Sequence, residues 1–137
     1  MDDHIHLQNI NITPEFKTAL DCLNKTQNHY FITGKAGTGK STLLHYFRTY
    51  TKKKVAVLAP TGVAALNVGG ETIHSFFRFK SNITIEDAHR KGVMLNNNQL
   101  YDHIDCIIID EISMVRSDLI DCIDVFLRAA LQPDIDF

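Results

Sequence analysis

Paired cysteines are missing from this sequence. Its three, Cys22, Cys106 and Cys122, are scattered through 137 residues in no paired spacing. That spacing indicates neither a disulfide framework nor a zinc site and leaves the thiols as reduced, buried packing residues. No apolar stretch approaches the span of a membrane helix, and the N-terminus, Met1-Asp2-Asp3-His4, is acidic where a secretory leader would be basic and then greasy. No membrane partner is expected, and a cytoplasmic address follows by default, nucleoid-associated in a bacterium. Excess positive charge is absent too: 14 Lys and Arg face 16 Asp and Glu. Any nucleic-acid contact therefore rests on local geometry, not on a global field. Seven histidines tempt a metal reading, but His4 and His6 alternate in a short segment without further ligands nearby. No repeat, low-complexity tract or interdomain linker interrupts the chain. What remains, 45% hydrophobic and 22% charged, is one soluble globular domain over 1–137.

The most informative stretch is Gly34-Lys35-Ala36-Gly37-Thr38-Gly39-Lys40-Ser41, a glycine, four residues, a glycine, a lysine and a serine. Glycines let consecutive main-chain N–H groups approach an anion, and the helix that follows adds unpaired donors and a favourable dipole. Lys40 reaches β- and γ-phosphates as a mobile charge, and the Ser41 hydroxyl is suited to the Mg²⁺ that bridges them. A chain of this length and ordinary composition matches the pattern by accident about once in two hundred. The alternative, a plain Gly-rich turn, is further weakened by context. His29-Tyr30-Phe31-Ile32-Thr33 is aromatic and β-branched, hence strand-like, and Leu43, Leu44 and Phe47 recur at helical spacing from Ser41 to Tyr50.

Upstream, Thr13-Pro14-Glu15 reads as an N-cap, a first-turn proline and a first-turn acid, with Phe16, Ala19, Leu20 and Leu23 forming one apolar face. Lys52-Lys53-Lys54 is better read as a solvated helix end complementing a dipole than as a phosphate contact. Val55-Ala56-Val57-Leu58-Ala59 is a strand buried on both faces of a parallel sheet. Thr61 to Asn67 is a cap and a short helix ended by Gly69-Gly70. Glu71 to Phe77 has no clean period, and Arg78 to Asn98 is polar, with a short helix near Ile85 to Arg90. Cys106-Ile107-Ile108-Ile109 is a second buried strand that runs into Asp110-Glu111. Alone, two acids there read as a solvated strand end. With the phosphate loop upstream they read as a metal-fixing acid and a base for the attacking water. The last helix, from about Arg116 to Leu131, presents Ile120, Ile123, Leu127 and Ala130 on one side and pairs Asp124 with Arg128.

Four segments together resemble the Pif-type and RecD-like branch of superfamily 1 DNA helicases. They are Gly34 to Ser41, Ala59-Pro60-Thr61-Gly62-Val63-Ala64-Ala65, Thr72-Ile73-His74-Ser75-Phe76, and Ile109-Asp110-Glu111-Ile112-Ser113-Met114-Val115. The resemblance covers nearly the whole chain. It implies an α/β, three-layer P-loop NTPase (RecA-like) fold, a parallel sheet with helices on both faces, here incomplete at the C-terminus. It further implies ATP-driven 5′ to 3′ translocation on single-stranded DNA. On this basis the loop residues Gly34 to Ser41 with Thr42 bind ATP, Ser41 and Asp110 serve Mg²⁺, and Lys40, Asp110 and Glu111 are catalytic. Pro60, Thr61, Gly62, Thr72, His74, Ser75 and Phe76 line the DNA track. Hydroxyls and helix-end amides suit backbone phosphates there, while His74 and Phe76 suit base stacking. Core packing is an equal reading for one of Phe76 and Phe77, and Arg116 is even between a DNA contact and a helix start.

The family's adenine-reading glutamine has no counterpart in the N-terminal helix, where Phe16 stands, and Gln27 lies too close to the strand for that role. The chain ends before the strand that senses the γ-phosphate and before the second motor domain with its arginine finger, so a downstream motor domain of the same chain is the expected partner. The missing strand would leave a gap beside the phosphate-loop strand. A non-catalytic ATP- or DNA-binding remnant is the alternative function. A small-molecule kinase is disfavoured because Asp110-Glu111 suits water activation and no arginine-rich lid is present.

Overall fold

The computed structural model describes residues 12–95, 101 and 103–131. The chain divides into two compact units, Met1–Lys53 and Lys54–Phe137.

In the first unit, α1 (Pro14–Lys25) starts as its sequence dictates. The Thr13 hydroxyl accepts from the Phe16 N–H at 3.2 Å, Pro14 fills the first turn, and Glu15 favours the positive helix end. Main-chain hydrogen bonding, aided by Thr13, holds the Glu15 carboxyl below its ordinary value. α2 (Lys40–Tyr50) buries Leu43 and Phe47. It meets α1 where Phe16 stands edge-on to Tyr46, ring centres 5.8 Å apart. Lys53 belongs to this packing: its ammonium donates to the carbonyls of Leu23 and Thr26, both at 2.7 Å, closing the last turn of α1. Of the lysine run, Lys52 and Lys54 are exposed as expected, but Lys53 is half-buried and serves the end of a helix some 30 residues upstream, a distance no local pattern reveals.

The expected strand at His29 to Thr33 does not form. Residues 26–35 carry no regular structure, and Phe31 is 75% exposed. A strand exists only through a neighbour that accepts its hydrogen bonds, and none of the three strands in the described sheet pairs with these residues.

The second unit is built on a parallel sheet of β1 (Val55–Ala59), β2 (Glu71–Thr72) and β3 (Cys106–Ile109) in the order β2-β1-β3. Parallel neighbours need crossovers. The first is α3 (Gly62–Asn67); the second passes through α4 (Ile73–Phe76) and α5 (Ile85–Met94). The structure therefore turns the aperiodic Glu71 to Phe77 into a short strand and one helical turn, and extends the helix expected over Ile85 to Arg90 to Met94. A short 3₁₀ turn, Ile112–Met114, leads into α6 (Ser117–Leu131). The core joins Leu58, Ile73, Phe77, Phe79, Tyr101, Cys122 and Phe126, with Phe77 and Phe126 5.3 Å apart and steeply inclined. α5 and α6 approach closely at Gly92, where an added Cβ would lie 2.5 Å from the Phe126 carbonyl oxygen. The three cysteines are free thiols, but only Cys122 is buried as expected, while Cys22 on α1 and Cys106 at the start of β3 are half-buried; burial pushes the Cys122 thiol up. Among the described residues no helix is long and apolar enough to cross a membrane.

Candidate functional site

The glycine loop has the geometry its sequence requires. Gly37 and Gly39 have φ of 74° and 87°, in the left-handed region, and no heavy atom lies within 4 Å of a Cβ at either position. Backbone conformation, not crowding, therefore demands glycine there. Thr38 braces the turn by donating its hydroxyl to the Lys35 carbonyl at 2.6 Å. The first helical bond is Leu43 N–H to Gly39 O at 2.8 Å, and no side chain caps α2. The N–H groups of Lys40, Ser41 and Thr42 are therefore the unpaired donors of its first turn. The Lys40 ammonium folds back over the loop, donating to the carbonyls of Gly34 at 2.6 Å and Lys35 at 3.0 Å. Gly34 to Thr38, Ser41 and Thr42 are exposed. Amides, a helix N-terminus and one mobile cation form a cradle for a polyanion.

In the second unit the remaining candidates leave the sheet at one edge. The register pairs Leu58 with Glu71 and with Ile109, so Pro60-Thr61-Gly62, Thr72 to Phe76 and Asp110-Glu111 all follow the carboxyl ends of adjacent parallel strands. That is the edge at which open α/β sheets bind ligands. The Asp110 N–H donates to the Leu58 carbonyl at 2.9 Å, carrying the ladder one residue past β3. Glu111 then turns left-handed, φ 53° and ψ 42°, with its side chain exposed. For a residue with a Cβ this costs roughly 1–2 kcal/mol, and such outliers concentrate at functional sites.

The hydroxyls of the proposed DNA track already have structural work. Thr61 accepts from the Ala64 N–H and Thr72 from the Ser75 N–H, each at 3.2 Å, so they cap α3 and α4. Each keeps its own hydrogen to donate. Ser75 differs, because its hydroxyl donates to the Glu71 carboxylate at 2.7 Å. His74 is half-buried. Phe77 is fully buried, whereas Phe76 is half-buried, edge-on to Phe77 and Tyr101. Core packing thus claims Phe77 fully and Phe76 in part. Arg116 grips the Asp118 carboxylate through Nε and a terminal nitrogen at 3.1 and 2.7 Å, at the start of α6.

Glu71 and Tyr101 were not among the sequence candidates. Glu71 could have been found from its spacing of four to Ser75. Tyr101 donates its hydroxyl to the Phe76 carbonyl at 3.0 Å across 25 residues, which no local signal announces; burial pushes that hydroxyl's pKa up. Among the described residues no three His, Cys, Asp or Glu side chains gather as a metal site, and His4 and His6 lie outside them.

A left-handed glycine loop opening a helix, and a parallel sheet with adjacent acids at its carboxyl edge, define the class of P-loop nucleoside triphosphatases with a RecA-like fold. Within that class the chain belongs to the PIF1-like helicase family, whose profile matches residues 11–137. It is 37% identical over 124 residues to the ATP-dependent DNA helicase PIF1 of Saccharomyces cerevisiae, covering 78% of this chain and 14% of that protein. It is 38% identical over 112 residues to Pif1 of Bdellovibrio bacteriovorus, covering 77% and 25%. A Bacteroides Pif1 solved in complex with ADP-AlF3 and single-stranded DNA superposes with a TM-score of 0.74 at 38% identity, over 89% of this chain and 29% of that one. Pif1 of Candida albicans gives 0.73 at 34%, over 88% and 29%. The chain thus spans a quarter or less of these two curated relatives.

Proposed function

We propose that residues 1–137 form the ATP-binding part of the first motor domain of a DNA helicase that moves 5′ to 3′ on single-stranded DNA. The observation that carries this reading is the loop Gly34 to Ser41, whose two left-handed glycines deliver three unpaired amides and Lys40 to one surface. Support comes also from the Bacteroides relative solved with ADP-AlF3 and single-stranded DNA.

In this reading the amides of Gly37 to Thr42 hold the phosphates of ATP. Lys40 exchanges the carbonyls of Gly34 and Lys35 for β- and γ-phosphate oxygens. Ser41 and Asp110 offer a hydroxyl and a carboxylate, the hard oxygen donors that suit Mg²⁺, which otherwise keeps water and phosphate oxygens. When bound, the ion neutralises charge on the transferring phosphoryl group. Glu111 orients the attacking water and takes its proton. Thr61 and Thr72, whose hydroxyl hydrogens are free of their caps, donate to DNA phosphates beside Pro60, Gly62 and Ser75, and His74 with the open face of Phe76 supports bases. A second motor domain supplies the arginine for the developing charge, and closure and reopening of the pair moves the strand.

The test is DNA-stimulated ATP hydrolysis by the full-length protein carrying Lys40→Ala or Glu111→Gln. Both should abolish turnover, while Glu111→Gln keeps nucleotide affinity. Turnover unaffected by either change would refute the assignment. A passive binding module would instead show no turnover in the parent protein and a DNA affinity indifferent to both substitutions.

A further inference from the structure

Arg78 stands apart from the three arginines that form ion pairs among the described residues. Arg90, Arg116 and Arg128 each engage an aspartate, Asp87, Asp118 and Asp124. Arg78 is exposed and within ion-pair distance of no carboxylate among the described residues. Its backbone is also costly, with a φ of 55°. The reason is local. Arg78 N–H bonds the Ser75 carbonyl at 3.1 Å and Phe79 N–H bonds the His74 carbonyl at 2.8 Å, the paired bonds that end a helix through one left-handed residue. Glycine is the residue that fits this position without strain. An arginine there gives up stability that glycine would restore, and among the described residues no carboxylate pairs with it to compensate, although its charge is felt by the nearby Tyr101 hydroxyl.

Its location suggests what compensates. The turn ends α4, whose Thr72 to Phe76 supply half of the proposed track, and Tyr101 fixes the preceding carbonyl, that of Phe76. Glu71, the acid of β2 just before this helix, accepts the Ser75 hydroxyl on one carboxylate oxygen and forms no ion pair with Arg78. A guanidinium held out to solvent at the end of a row of hydroxyl donors matches a phosphodiester oxygen pair in both charge and fork geometry. We infer that Arg78 is a nucleic-acid backbone contact that extends the track beyond Phe76, an inference that rests on the DNA-binding reading above. The left-handed turn aims the side chain, and phosphate is the acceptor that the described residues do not supply.

The test compares the full-length protein with its Arg78→Gly and Arg78→Lys variants, titrating a labelled oligothymidylate at several salt concentrations and measuring unfolding midpoints alongside. Arg78→Gly should bind about three- to tenfold more weakly at fixed salt, and the slope of log affinity against log salt should flatten by about 0.7, the value of one lost contact on a single strand. Its unfolding midpoint should stay or rise, because glycine relaxes the turn. Arg78→Lys keeps the charge and should keep the slope. An Arg78→Gly variant with parental affinity and slope would overturn the inference, as would an Arg78→Lys variant whose slope flattens equally. Failure of the unsubstituted protein to bind the oligonucleotide at all would instead sink the underlying DNA-binding reading.

Discussion

In the first unit the left-handed positions of the phosphate loop are glycines, Gly37 and Gly39, whereas in the second unit Glu111 and Arg78 enter the same region with full side chains. The two cases differ in which atoms do the recognising. Around Gly37 the useful groups are main-chain N–H donors, and a side chain would contribute nothing. At Glu111 the group that the proposed mechanism uses is the carboxylate, which the left-handed backbone sends from the strand end in a direction that extended backbone would not give. In the phosphate loop the left-handed glycines thus present backbone donors, whereas the left-handed Gly69 of the second unit follows the end of α3. A left-handed charged residue marks a place where a side chain is aimed, at roughly 1–2 kcal/mol of stability.

The largest expected effect separates these roles at Glu111. Glu111→Gly should relax the turn and stabilise the second unit by about 1 kcal/mol, yet lower ATP turnover about 10²- to 10⁴-fold for want of a base. Glu111→Gln should lose similar turnover without the gain in stability. Urea unfolding and single-turnover hydrolysis read the two quantities independently. If Glu111→Gly proved less stable than the parent, the idea that the backbone is strained for the sake of the side chain would fail.

The mirror experiment is Gly39→Ala. The Cβ meets nothing, so the cost is conformational alone, about 1–2 kcal/mol. It should appear in both stability and nucleotide affinity, because the loop must keep its shape to present amides. Equilibrium binding of a fluorescent ATP analogue checks it, and unchanged affinity would show that the left-handed conformation at Gly39 is not what the phosphates require.

The same contrast explains what could be read from the sequence. Gly34 to Ser41 was legible because glycine spacing reports backbone shape directly. The α1 cap and the existence of β1 and β3 were legible, but the expected burial of both strands was not met: only Leu58 and Ala59 are buried and β3, at one edge of the described sheet, is half-buried throughout. The face of α6 was legible in part, since Cys122, Phe126 and Ala129 are buried beside the expected Ile123 and Ala130. Nothing in the letters Asp110-Glu111 or Phe77-Arg78 reveals a left-handed turn, since both sequences are compatible with ordinary backbone. His29 to Thr33 misled for a related reason: its composition describes a side-chain preference, while a strand also needs a neighbour. Lys53 on the carbonyls of α1 and Tyr101 on the carbonyl of Phe76 depend on partners 25 or more residues away.

Tyr101 buttresses the Arg78 turn, so its loss should weaken that strained site modestly. Tyr101→Phe removes the donor to Phe76 O and should cost about 1 kcal/mol. The pH dependence has a definite sign. Burial raises the folded-state pKa of Tyr101 above its ordinary value near 10, so the folded state holds the proton more tightly than the unfolded chain. Stability is therefore unaffected by this group below the unfolded value and declines as pH climbs through the folded one. Tyr101→Phe should flatten that alkaline decline, and denaturation midpoints collected from neutral to strongly alkaline pH measure it.

The smallest effect belongs to an arginine without strain. Arg128 sits in the regular backbone of α6 with its Nε 2.9 Å from an Asp124 oxygen, both side chains about half exposed. An exposed pair one helical turn apart contributes about 0.3–0.5 kcal/mol. Arg128→Ala should lower stability by that amount at low salt, lose most of the difference at high salt, and leave oligothymidylate affinity and its salt slope at parental values. Arg78 and Arg128 carry the same charge in the same unit, so the pair of variants asks whether function follows net positive charge or position. A fall in DNA affinity for Arg128→Ala as large as that for Arg78→Gly would mean that overall charge governs binding, and the left-handed turn at Arg78 would then lose its explanation.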